Sequence, residues 1–197
     1  MTRPPRHLAL VGMPGVGKSV TGRRLAAELS MRFVDLDEAI VDRCGQPIPE
    51  LFARFGEAGF REMESAELLT VLDDPDPLVI STGGGVVLAA SNRAALRERS
   101  SVVWLRASAP TLVERLAASS TRRPTVEGDL VGNVARLLKQ RTPLYAEVAG
   151  IVVDVDRAPV LDVVDDVLAR VGASVAAAAG AAADRNEETQ GDADDRG

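Results

Sequence analysis

Cysteine, aromatic side chains, long apolar runs and concentrated basic charge are all scarce in this chain, and each scarcity narrows what the protein can be. A single cysteine, Cys44, among 197 residues allows no internal disulfide and no cysteine-based metal cluster. No apolar run approaches the roughly 20 residues that cross a bilayer, and the five-residue run after the basic residues 1–6 is too short for a secretion signal. The expectation is a soluble, cytoplasmic protein with no membrane partner. Net charge is −6, and residues 173–197 carry six acidic and two basic residues, so the rest of the chain is close to neutral. A nucleic-acid binder needs a concentrated basic face; nucleic acid is therefore not an expected partner. What remains is a globular composition, 46% hydrophobic and 26% charged, at a length that suits one domain with a real core.

Against this background one stretch stands out. Gly12-Met13-Pro14-Gly15-Val16-Gly17-Lys18-Ser19 fits G-x-x-x-x-G-K-[ST] at every fixed position. Residues 7–11 before it form an apolar run of buried-strand type, and residues 18–29 after it carry a helical pattern with Val20, Leu25, Ala26 and Leu29 on one face. Strand, glycine loop and helix start are the context in which this motif binds phosphate. The glycines let successive N–H groups point inward at the positive end of a helix, forming an anion nest. Lys18 would then reach the β- and γ-phosphates and the Ser19 hydroxyl would ligate Mg²⁺. The alternative is a glycine-rich turn before an ordinary helix.

Further along, residues 32–35 read as a second strand ending in Asp35, with Asp37 two residues on. Carboxylates at the carboxyl end of a strand stand where open α/β sheets bind ligands. They could serve a metal shell and a general base, or Asp35 could simply cap a helix. Residues 50–55 read as helix, broken at Gly56 and resumed from about 58 to 72, with Arg61 and Glu64 on one face. That pair is either a carboxylate clamp with its brace or a solvent-side ion pair. Residues 78–81 form a third strand and run into Gly83-Gly84-Gly85, where either a ligand touches backbone or the chain turns. Ser81 stands where many phosphate-loop enzymes carry an acidic metal partner. Helices over 92–99, 110–117, 130–140 and 159–171 and strands over 101–105 and 151–155 complete the alternation. Residues 118–129 are polar and aperiodic, with Arg122 and Arg123 adjacent, which suits either a closing lid or a solvated loop. Five strands alternating with helices imply a parallel, helix-covered sheet.

The ordered series of motifs resembles the shikimate kinases, small P-loop kinases of the nucleoside-monophosphate-kinase group, over roughly residues 7–171. The series comprises the phosphate loop followed by Gly22-Arg23, Asp35-Leu36-Asp37, Gly56-Glu57 with Phe60-Arg61 and Glu64, the glycine triplet, Arg123-Pro124, and Arg141-Thr142-Pro143-Leu144-Tyr145. The resemblance implies a three-layer α/β fold with strand order 2-3-1-4-5 and a mobile lid. It implies transfer of the ATP γ-phosphoryl group to the 3-hydroxyl of shikimate, with Mg²⁺, by a monomer. Carried over by position, Asp37, Lys18 and Arg123 are the catalytic groups. ATP is held by Gly15, Val16, Gly17, Lys18, Ser19, Val20, Arg115, Arg123 and Arg157. Shikimate is held by Asp37, Arg61, Gly83, Gly84, Gly85 and Arg141, and Mg²⁺ by Ser19 and Asp35. Thr125-Val126 replace the family's usual Leu-Leu after Arg-Pro, and Arg122 beside Arg123 leaves the register of the lid arginine open by one residue.

Two rivals share parts of this pattern. A gluconate kinase has the same carboxylate-plus-polyol logic, whereas a nucleoside-monophosphate kinase needs a surface for a base and phosphate, and no aromatic platform is evident near Arg61. The Ala-rich and then acidic residues 173–197 cannot bury enough apolar surface to offset their ordering entropy and read as a disordered tail after a domain of residues 1–172. Deleting residues 176–197 should leave turnover and Tm unchanged; a Tm lowered by several degrees would show that the tail docks.

Overall fold

A computed structural model describes residues 7–119 and 128–173. Every residue of β1 (His7–Val11) is buried, as is every residue of β3 (Leu78–Ser81). Successive strand residues point to opposite faces, so unbroken burial requires cover on both sides of the sheet. The strands β2 (Arg32–Asp35), β3, β1, β4 (Ser100–Arg106) and β5 (Ile151–Asp154) lie side by side in that order, and each paired neighbour is parallel. The expected order 2-3-1-4-5 is thus the observed one. The helices are α1 (Lys18–Glu28), α2 (Leu36–Cys44), α3 (Ile48–Leu72), α4 (Ala90–Arg99), α5 (Ala109–Ala117), α6 (Leu130–Val148) and α7 over residues 160–173.

The core is one cluster that joins the central strands to α1, α4, α6 and α7. A second, small cluster of Ile40, Leu51 and Phe60, with Phe52 packed on it, holds α2 to α3 beside the sheet's carboxyl edge. The apolar face of α1 differs from the expected one. Val20 is 56% exposed, and the buried face runs through Thr21, Gly22, Leu25 and Ala26 instead. A Cβ at Gly22 would come within 2.6 Å of the Phe33 ring, so the close approach of α1 to β2 places Gly22 on the buried side and turns Val20 outward. Helix α6 also runs further than expected, through Pro143 to Val148. Proline removes one backbone bond and crowds the preceding turn. Complete burial of Tyr145 and near-complete burial of Val148 hold the helix beyond it.

The expected break within α3 is present at Gly56, whose backbone stands at φ 68 and ψ −179 inside an otherwise helical segment. That conformation is essentially closed to residues with a Cβ. The kink redirects the second half of α3 so that Arg61 and Glu64 face the sheet edge. Nothing lies within 4 Å of a Cβ built at Gly56, so Gly56→Ala isolates the backbone effect. It should cost about 1–3 kcal/mol in denaturant unfolding; an unchanged midpoint would show that the kink relaxes freely.

Candidate active site

The glycine loop begins where β1 ends at the centre of the sheet. Gly17 caps α1 in left-handed backbone at φ 104, offers no side chain to the first turn, and no acidic residue follows in that turn. The first N–H groups of α1 therefore face outward without a carboxylate to compete for them, which suits phosphate oxygens. Lys18 is buried, and its Nζ donates to the carbonyls of Gly12 at 2.9 Å and Met13 at 3.1 Å. This contact lays the ammonium along the loop that its own residues form.

Beside it the Ser19 hydroxyl donates to Oδ2 of Asp35 at 2.6 Å and lies 3.4 Å from the Ser81 hydroxyl. The donors gathered here are all oxygen, the set a hard cation prefers. Among the described residues no group of three or more His, Cys, Asp or Glu side chains could hold a metal. A cation at this point would therefore complete its shell from phosphate and water, as Mg²⁺ commonly does. Oδ1 of Asp35 accepts the Asp37 N–H at 3.0 Å and caps α2. The structure thus shows the helix cap at Asp35, with the second carboxylate oxygen held by Ser19.

Asp37, half-buried, projects into a cleft of about 810 Å³ that is also lined by Lys18, Ser19, Arg61, Glu64, Gly83 to Gly85 and Arg141. Its carboxyl is pushed up to about 6, first by desolvation and then by the charges of Asp35 and Glu64, with Lys18 and Arg61 acting against the rise. Arg61 is not on a solvent face. Its Nη1 donates to Oε2 of Glu64 at 2.7 Å, its Nη2 to Glu57 at 3.3 Å, and the Glu64 side chain is 1% exposed. Burial raises the Glu64 carboxyl as well, against the pull of Arg61, Arg141 and Lys18. Arg141 is 2% exposed and donates to the Gly84 carbonyl at 2.8 Å, beside the hydroxyl of Tyr145 on the same oxygen. Burial works against its charge. The Nε atoms of Arg61 and Arg141 are buried without a hydrogen-bond partner among the described residues.

The glycine triplet is where these groups meet. A Cβ on Gly83 would fall against the carboxylates of Glu64 and Asp37, one on Gly84 against Pro14 of the phosphate loop, and one on Gly85 against the Arg61 guanidinium. No aromatic platform is expected near Arg61 from the sequence, and here the structure differs. Phe52 and Phe60 pack with centroids 4.4 Å apart, and the Arg61 guanidinium lies 5.9 Å and 5.4 Å from their rings. The kink at Gly56 hides this pairing from a simple helical spacing.

The remaining residues expected around ATP are distributed unevenly. Gly15, Gly17 and Val20 line the cleft and Val16 is buried beneath it. Arg115 lines it too, its guanidinium donating to the carbonyls of Val16 at 3.1 Å and Val155 at 2.8 Å. Arg157 is exposed at φ 58, does not line the cleft, and lies two residues beyond Val155. Arg122, Arg123 and most of the expected lid, 118–129, lie outside the described residues. A feature that sequence reasoning missed is the buried one-turn 3₁₀ helix Val86–Leu88 after the triplet; a run of three apolar residues after a glycine turn carries little signal for it.

A parallel sheet in the order 2-3-1-4-5, a phosphate loop after its central strand, and an acidic and guanidinium-lined cleft beside that loop define a small P-loop kinase. The comparisons carry this further. A family model described as shikimate kinase matches residues 14–172. The shikimate kinase of Pseudomonas aeruginosa (strain LESB58) is 44% identical over 166 residues, which cover 84% of this chain and 95% of that protein. Among solved structures, shikimate kinase from Acinetobacter baumannii in complex with shikimate matches with a TM-score of 0.82 at 32% identity, over 87% of this chain and 95% of that one. A gluconokinase from Sinorhizobium meliloti 1021 matches with a TM-score of 0.63 at 22% identity, over 88% and 97% of the two chains, and shares the fold. This chain belongs to the shikimate kinase family of ATP-dependent kinases.

The crowding of carboxylates has a stability consequence. Asp37 titrates at its ordinary 3.8 when unfolded and at about 6 in the fold, so its contribution to stability is fully present below about pH 4 and is lost as pH rises through about 6. At pH 8 the ionised group costs roughly 1–2 kcal/mol once the solvent reaching a half-buried carboxyl is allowed for. Asp37→Asn should therefore raise Tm by about 2–6 °C at pH 8 and change it little near pH 4. A Tm lowered at pH 8 would show that the ionised carboxylate is a net stabiliser.

Proposed function

We propose that this cleft transfers the γ-phosphoryl group of ATP to the 3-hydroxyl of shikimate, giving shikimate 3-phosphate and ADP. The observation that carries the reading is the convergence of two guanidinium groups, the half-buried Arg61 and the buried Arg141, with a carboxylate of raised pKa and a phosphate loop in one cleft. Shikimate is a carboxylate bearing three hydroxyls. Two guanidinium groups match the carboxylate, and Asp37 matches a hydroxyl. The shikimate-bound relative from Acinetobacter baumannii supports the same acceptor. With a pKa of about 6, Asp37 is about nine-tenths ionised at pH 7 and close to the value that suits a general base.

In this scheme Asp37 takes the proton of the 3-hydroxyl as its oxygen bonds to the γ-phosphorus, and the bond from that phosphorus to the β,γ-bridging oxygen breaks to release ADP. Lys18 and the α1 N-terminus meet charge on the phosphates, and Glu64 braces Arg61. The backbone of Gly83 to Gly85 touches the acceptor ring. One of Arg122 and Arg123 meets the transferring group, and Arg115, with Arg157 nearby, borders the adenine. Ser19 and Asp35, with Ser81 beside them, fit Mg²⁺, which when bound would neutralise phosphate charge. All of these groups belong to one chain, so a monomer suffices. No helix among the described residues is long and apolar enough to cross a membrane, which accords with work in the cytoplasm.

The test is ADP release from Mg·ATP with shikimate, gluconate and nucleoside monophosphates as separate acceptors. Turnover with shikimate alone is the expected result, and turnover with another acceptor in its place would overturn the acceptor assignment while leaving the fold untouched. With shikimate, kcat/KM should fall about tenfold per pH unit below the Asp37 pKa, and Asp37→Asn should lower kcat at least about a hundredfold and erase that acid limb. Arg61→Lys should chiefly raise the KM for shikimate, because a point charge replaces a fork; a rise confined to the KM for ATP would relocate Arg61.

A further inference from the structure

The two arms of the cleft's acceptor side come from different elements, α3 with Arg61 and Glu64, and the glycine triplet after β3. Their relative placement is held from behind by a residue with no exposure to the cleft. Asn92, in the first turn of α4, is 2% exposed. Its Nδ2 donates twice, to the Ser65 hydroxyl at 3.0 Å and to the Val86 carbonyl at 3.0 Å. The Ser65 hydroxyl in turn donates to the carbonyl of Arg61 at 2.8 Å. One amide therefore joins the backbone of Arg61 to the turn that closes the triplet. Exchanging its oxygen and nitrogen would set two acceptors against each other at Val86, so the network itself decides the orientation.

The turn at the other end of this link is tightly specified. Val86 N–H donates to Gly83 O at 3.2 Å and Leu88 N–H to Gly85 O at 2.9 Å. The neighbouring Arg93 takes the carbonyls of Val87 and Leu88 at 2.9 Å and 3.2 Å. A Cβ on Gly85 would collide with the Arg61 guanidinium, so a shift of either arm by a fraction of an ångström changes the space between them. We propose that Asn92, acting through Ser65, is a positioning residue that sets the spacing between Arg61 and the glycine triplet, and so governs binding of the carboxylate acceptor without touching it. This rests on the acceptor reading above, since the two arms matter only if both contact the acceptor.

The test is a cycle of Asn92→Ala, Ser65→Ala and the pair, with Ser65→Thr retaining the hydroxyl. Ser65→Ala should raise the KM for shikimate about fivefold, the size of one lost neutral hydrogen bond, with the KM for Mg·ATP unchanged and Tm lowered by no more than about 4 °C. Asn92→Ala should raise it further, the pair should be no worse than Asn92→Ala alone because both cut the same link, and Ser65→Thr should behave as the parent. An unchanged shikimate KM in Ser65→Ala, or equal rises for both substrates, overturns the proposal. Should Asn92→Ala fail to fold, the serine pair still decides. Hydrogen exchange in the ligand-free protein separates this from the acceptor reading: faster exchange at the Val86 and Leu88 amides in the alanine variants supports the link even if the parent phosphorylates something else, and unchanged exchange rejects it.

Discussion

Everything at the sheet's carboxyl edge depends on a balance of buried charge. Lys18, Arg61 and Arg141 face Asp35, Asp37 and Glu64 across a single cleft, and five of these six side chains are buried or lie against a nearly inaccessible partner. Taken out of water singly, each would carry a desolvation penalty of several kcal/mol. Together they offset one another, and the opposed effects on Asp37, raised by burial and by Asp35 and Glu64 and lowered by Lys18 and Arg61, show how closely they are coupled. The cost of that arrangement persists in the raised carboxyls of Asp37 and Glu64. It is stored where an anionic donor and an anionic acceptor would add the negative charge that the three cations can meet.

The glycine triplet converts this balance into shape. Each of its positions is closed to a side chain by a different neighbour: the carboxylates at Gly83, the phosphate loop at Gly84, the arginine at Gly85. Its middle carbonyl receives both Arg141 and Tyr145 from α6. Four separately encoded elements therefore touch within three residues. Movement of any one is felt by the others through hard contacts rather than through long-range fields.

Legibility in the sequence followed the range of the interactions involved. The phosphate loop, the strand ends and the break at Gly56 depend on residues a few positions apart, and all were readable from spacing alone. Even the strand order came only through a resemblance, because periodicity does not say which strands are neighbours. Features set by distant partners were misread or missed. Val20 turns outward because Gly22 must meet Phe33 eleven residues away in another element, and α6 passes Pro143 because Tyr145 is packed at 5.8 Å from Trp104 of β4. Phe52 and Phe60 pair beside Arg61 only because of the kink between them. Asn92 opens the helix expected over 92–99, and spacing along the chain carries no sign of its bonds to Ser65 and Val86.

Asp35 shows how one carboxylate can hold two neighbours at once. A helix cap uses one acceptor, and a carboxylate has two oxygens. Oδ1 is committed to the Asp37 N–H and Oδ2 to the Ser19 hydroxyl. The cap that starts α2 therefore also fixes the backbone of Asp37 and holds the Ser19 hydroxyl at the carboxyl end of β2. Where many phosphate-loop enzymes carry an acid at the end of the third strand, this chain has Ser81, 3.4 Å from Ser19. A second buried carboxylate at that point would add like charge beside Asp35 and Asp37 and push Asp37 further up. A hydroxyl supplies the oxygen without the charge, so the uncharged strand end and the titratable Asp37 are two sides of the same electrostatic constraint.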